Sequence, residues 1–88
     1  MICRMVVFRG KVQGVNFRRQ TALKAEELSI SGYVKNNPDG TVEAVFMGPE
    51  KNVRYIIDFC RTSIVNAEVQ SYQEKVAAWS EDGFRILH

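Results

Sequence analysis

Between Gly10 and Arg18 the chain reads Gly10-Lys11-Val12-Gln13-Gly14-Val15-Asn16-Phe17-Arg18. An extended run precedes it and a helical pattern opens at Phe17, so this stretch is a glycine-bearing loop feeding a helix N-terminus. Successive backbone N–H groups in such a loop curl into a concave anion site, and the helix end adds about half a positive charge. Arg18 falls on the first turn, where a guanidinium forks two oxygens of a phosphate or carboxylate. A second candidate is Asn36, in the run Lys35-Asn36-Asn37. Its amide both donates and accepts without taking a proton, which suits the positioning of a water or a substrate oxygen. Asn37, ahead of Pro38, reads as a turn residue. From the residues alone, two plainer readings stay open: the glycines only make a tight turn, and Arg18 is a solvated surface side chain.

Charge placement favours an anionic ligand. Arg4, Arg9, Lys11, Arg18, Arg19 and Lys24 all precede the first acid, Glu26, although the whole chain carries a net charge of only +2. With 88 residues, 45% of them hydrophobic, the chain has room for one domain over 1–88 with a single core and a shallow site. The lone histidine, His88, reads as solvated and idle, and no metal-ligand spacing appears, so no metal is expected. Cys3 and Cys60 lack both metal spacing and the density of a disulfide scaffold. Two buried free thiols in a reducing compartment is the preferred reading, and a Cys3–Cys60 bridge is the alternative. No apolar run reaches the roughly 18 residues of a membrane span and no signal peptide opens the chain, so a cytoplasmic protein without membrane contact is expected. A monomer is also expected, although nothing in the residues encodes the oligomeric state.

The elements that must position the candidates follow from periodicity. Cys3 to Arg9, with Val6, Val7 and Phe8, is a strand. A helix of about three turns follows, with Phe17, Ala22, Ala25 and Leu28 on one face, and Ser31-Gly32 should end it. Tyr33–Asn36 and Thr41–Met47 flank the turn Asn37-Pro38-Asp39-Gly40 and form an antiparallel hairpin, with Val42, Ala44 and Phe46 on one face. The first hairpin strand should run beside the opening strand, bringing Asn36 near the loop. After Gly48-Pro49, the spacing of Val53, Ile56, Ile57 and Cys60 makes a second helix. Residues 66–77 are a weak strand prone to a bulge or bend, and Phe84–Leu87 is a short last one. The expected fold is α+β: a ferredoxin-like β-α-β-β-α-β sandwich, an antiparallel sheet with two helices on one face, plus a short C-terminal strand.

These residues also carry a resemblance. Gly10 to Arg18 resembles the G-x-V-Q-G-V-x-F-R signature of acylphosphatases, and Gly32-Tyr33-Val34-Lys35-Asn36, followed by Gly40, Val42 and Gly48, resembles the family's second signature. The likeness extends over essentially the whole chain. It implies an enzyme that hydrolyses acyl phosphates, carboxyl-phosphate mixed anhydrides, to a carboxylate and inorganic phosphate, with no metal or cofactor. No nucleic-acid partner is expected. By the same resemblance Arg18 is the phosphate-binding catalytic arginine and Asn36 orients the attacking water. Gln13, Gly14, Val15, Asn16 and Phe17 supply the phosphate cradle.

Three positions depart from the family pattern. Phe8 replaces a smaller aliphatic residue, a matter of packing. Asn16 stands where a small residue is usual, so its side chain should narrow the cradle or touch the ligand, while tolerating left-handed backbone angles. Leu87-His88 ends the chain where many relatives have an aromatic residue, which leaves open what the C-terminus gives the site. Rival readings are an anion-binding module without turnover and a single-strand RNA binder; the latter lacks the paired aromatic motif of such sheets. A carbamoyl-phosphate-directed part of a larger maturation enzyme is disfavoured by the complete set of elements.

Overall fold

A computed structural model describes residues 1–88. The elements are β1 (Ile2–Lys11), α1 (Phe17–Glu27), β2 (Ser31–Asn36), β3 (Val42–Gly48), α2 (Glu50–Thr62), β4 (Glu68–Val76) and β5 (Phe84–Leu87). One sheet holds all five strands in the order β4-β1-β3-β2-β5. The first four pair antiparallel, and β5 joins β2 in parallel, so the full sheet is mixed.

This order corrects one expectation. β2 does not run beside β1, because β3 lies between them and pairs with both. The hairpin to β3 is local and closes through a tight turn, and β3 then takes the central place that a split β-α-β arrangement leaves open. Asp39 Oδ1 accepts hydrogen bonds from the Thr41 hydroxyl at 2.7 Å and the Thr41 amide at 3.0 Å, fastening that turn. The hydroxyl bond chiefly, then the amide bond, holds the Asp39 carboxyl below its usual range.

α1 stops at Glu27, four residues before the Ser31-Gly32 pair that should have ended it. Ser29 adopts φ 55°, its amide reaches Glu26 O at 3.1 Å, and the Ile30 amide reaches Ala25 O at 2.8 Å. That is a Schellman closure with serine in the left-handed position usually given to glycine. Its apolar pair, Ala25 and Ile30, is buried. Ser31 and Gly32 are thereby released to begin β2.

Both helices cover one face of the sheet. Val6, Phe8, Val34, Val42, Ala44 and Phe46 from the strands meet Phe17 and Ala25 of α1 and Val53, Ile56, Ile57 and Cys60 of α2 in a single core. Each large apolar side chain fully buried there contributes about 1.5–3 kcal/mol. Phe8, unusual for its position, is fully buried and packs on Phe17 with ring centroids 5.4 Å apart, which fixes the first residue of α1. The bulge expected in 66–77 is present. Arg9 pairs with Ser71 and Gly10 with Val69, leaving Gln70 as the extra residue opposite them.

Both cysteines are free. Cys60 is buried, with Sγ 3.4 Å from Thr21 Oγ1, and burial pushes its thiol up to about 12. Cys3 is half-buried rather than buried, on the sheet face opposite Val6 and Phe8 by strand alternation. The sheet therefore separates the two sulfurs. No helix is long and apolar enough to cross a membrane.

Candidate active site

The loop between β1 and α1 owes its shape to two left-handed residues, Gly14 at φ 76° and Asn16 at φ 60°. A Cβ on Gly14 would meet nothing within 4 Å, so glycine is favoured there by backbone angle alone. Asn16 is among the few side-chain-bearing residues that take this conformation at small cost. Alternation of this kind turns successive amides toward one side. No amide from Gln13 to Arg19 donates to a protein acceptor; the first bond of the helix is Gln20 N to Asn16 O at 3.0 Å. No acidic residue occupies the first turn of α1, so the positive end of the helix is uncompensated.

The Gln13 side chain ties this loop to the hairpin. Its Nε2 donates to Asn37 O at 2.8 Å and to Thr41 O at 2.9 Å, the two ends of the β2–β3 turn. This is how the loop and Asn36 come together although β1 and β2 are not neighbours. The Asn36 side-chain amide has no protein hydrogen bond, whereas Asn37 Nδ2 donates to Thr41 Oγ1 at 3.0 Å and belongs to the turn.

Arg18 is half-buried and held from the other side by β5. Its Nη1 donates to Leu87 O at 3.0 Å and lies 3.4 Å from His88 Nδ1. The parallel register sets Val34 beside Ile86 and Lys35 beside Leu87, so the end of β5 arrives next to Asn36. Nε and Nη2 of Arg18 have no protein partner. They form a free two-donor edge of the guanidinium. Gly14, Asn16, Phe17, Arg18, Arg19 and Asn36 line one pocket of about 310 Å³, closed by Val12, Ile86 and His88. Two of these side chains, Arg18 and Arg19, are cationic and none is acidic.

A family model for acylphosphatase matches residues 4–86. The chain belongs to the acylphosphatase family. An acylphosphatase of Thermoplasma volcanium is 42% identical over 78 residues, spanning 89% of this chain and 87% of its own. The solved acylphosphatase of Coxiella burnetii superposes with a TM-score of 0.91 at 32% identity, over 98% of this chain and 92% of that one. The full-length HypF structure in its phosphate- and nucleotide-bound form superposes with a TM-score of 0.84 at 26% identity, over 99% of this chain and 12% of that chain.

Of the residues the acylphosphatase signatures single out, Gly14, Asn16, Phe17, Arg18 and Asn36 share the pocket wall. Gln13 and Val15 do not: the Gln13 side chain is turned to the hairpin, and Val15 packs against the core. Only their backbone amides remain available to the loop. His88 is exposed, as expected from the sequence, but its Nδ1 lies against Arg18 rather than standing apart from the site. Arg19 was missed as a wall residue. The one signal that pointed to it was the crowding of basic residues ahead of Glu26.

Proposed function

We propose that this hydrolase of the acylphosphatase family binds the phosphoryl group of an acyl phosphate between Arg18 and the loop amides from Gln13 to Phe17, and that Asn36 aims the attacking water. The observation that carries this reading is the unpartnered donor set: loop amides without protein acceptors next to a guanidinium whose Nε and Nη2 are free.

Charge dictates the mechanism. Water oxygen bonds to phosphorus as the bond from phosphorus to the acyl oxygen breaks, and the leaving carboxylate departs with that electron pair. A carboxylate is a good leaving group, so no general acid is required. Negative charge spreads over the equatorial phosphoryl oxygens, where forked guanidinium and amide donors hold it best. The Asn36 oxygen accepts a hydrogen bond from the water and sets its approach, and the water's proton passes to the product phosphate or to solvent. Ile86, the partly exposed apolar residue that borders the pocket, receives the organic half.

Asn36→Ala is expected to lower kcat for benzoyl phosphate about a hundredfold with KM within a few-fold of wild type, because it removes aim rather than phosphate binding. Steady-state phosphate release by both proteins checks it. A variant with full kcat removes Asn36 from the mechanism, and a wild type no faster than buffer removes the functional reading itself.

A further inference from the structure

The pocket holds more than a phosphoryl group needs. Its volume of about 310 Å³ falls at the lower end of small-molecule sites, enough for an organic half beside the phosphate. It also carries a second arginine. Arg19, the residue after Arg18 on the first turn of α1, lines the same pocket.

Most arginines of this chain have a carboxylate within ion-pair distance. Arg4 and Arg54 share Glu74, Arg61 pairs with Asp58, and Arg85 pairs with Glu81. Arg19 has no ion pair and no side-chain hydrogen bond. Unlike Arg18, it is not held by β5 either, since the contacts to Leu87 O and His88 Nδ1 both come from Arg18. It is exposed, and consecutive helical residues point about 100° apart. Two arginines therefore border one pocket from different directions. If Arg18 takes the phosphoryl oxygens, Arg19 is left with a fork of donors facing whatever the phosphate is attached to. A guanidinium there discriminates by charge, attracting an oxyanion on the acyl half and offering little to a neutral one.

We infer that Arg19 is a specificity-determining residue that favours acyl phosphates whose acyl half carries a second oxyanion, such as a carboxylate. This rests on the proposed function, since it places the phosphoryl group at Arg18. The reaction is unchanged: water adds to phosphorus and the dicarboxylate leaves in place of a monocarboxylate.

The test compares 4-carboxybenzoyl phosphate with benzoyl phosphate, rigid substrates that differ by one carboxylate and cannot cyclise. For wild type, Arg19→Ala and Arg19→Lys, the readout is the ratio of kcat/KM for the carboxylated over the neutral substrate. Arg19→Ala is expected to lower that ratio about tenfold, the scale of one charge-assisted contact at a partly exposed site. Arg19→Lys keeps most of it, because the charge remains. Raising salt compresses the wild-type ratio and leaves that of Arg19→Ala nearly flat. Lys51→Ala, which removes a positive charge on α2 outside the pocket, keeps the wild-type ratio and so separates a local contact from net charge. If Arg19→Ala hydrolyses both substrates with the wild-type ratio, the inference is overturned while the proposed function stands. If wild type cleaves neither, the proposed function fails and takes the inference with it.

Discussion

Arg18→Ala is expected to lower kcat/KM for benzoyl phosphate by at least a hundredfold, with KM rising and kcat falling together. In the proposed mechanism the guanidinium supplies a preorganised two-donor edge to oxygens that gain negative charge at the transition state, and losing one such donor group commonly costs 10²–10³-fold. Arg18→Lys restores the charge but not the fork, so it is expected to recover only part of the loss. Stability should change little. The folded state loses the hydrogen bond from Nη1 to Leu87 O, worth about 1 kcal/mol, and a longer, exposed contact to His88 Nδ1, so a shift of a few degrees in Tm accompanies a large loss of turnover. A variant that keeps wild-type kcat/KM would remove Arg18 from the site. One that loses activity only because it unfolds would show it in the melting curve.

The second large effect is on folding. Gly32→Ala is expected to destabilise the domain by about 3–5 kcal/mol, a large share of the about 4–13 kcal/mol typical of a chain this long. Gly32 is buried in β2 with φ 140°. A Cβ there would lie 1.8 Å from Val45 O and 2.7 Å from Val45 C, both backbone atoms of β3 that no rotamer change can move aside. The Gly32 amide also donates to Gly83 O at 3.0 Å, so β2 is held from its β5 side as well and has nowhere to retreat. Gly14 differs in kind, since it combines a positive φ with open space. Urea unfolding of Gly32→Ala gives the shift directly, and a loss below about 0.5 kcal/mol would contradict the packing described for β2. Because β2 carries Asn36 and forms one wall of the pocket, activity should fall with it.

The sequence made the chemistry-bearing residues legible where local pattern decides structure. The Asn37-Pro38-Asp39-Gly40 turn forced a hairpin, the spacing of Val53, Ile56, Ile57 and Cys60 named the buried face of α2, and the glycines around Gln13 marked the loop ahead of α1. Strand order was not local, and it was misjudged for β2. What joins Asn36 to the loop is the Gln13 side chain reaching the hairpin ends, a pairing across 24 to 28 residues that no periodicity encodes. The parallel seating of β5 was equally hidden. It depends on which sheet edge stays open after β3 takes the centre, and it is what brings Leu87 and His88 to Arg18. Ser29 escaped notice as the end of α1 because a serine in the left-handed region gives no compositional signal of the kind glycine does. The family resemblance supplied roles for Arg18 and Asn36, but only side-chain geometry distinguished Gln13 as a tie between elements from Gly14 and Asn16 on the pocket wall.

The central claim is that water, aimed from Asn36, attacks a phosphoryl group held at Arg18. Hydrolysis of benzoyl phosphate by the wild-type protein in ¹⁸O-labelled water tests it most directly. The account predicts fast turnover with one labelled oxygen in the inorganic phosphate and none in the benzoate. Label in the benzoate would mean attack at the carbonyl carbon and would contradict it, as would turnover no faster than in buffer.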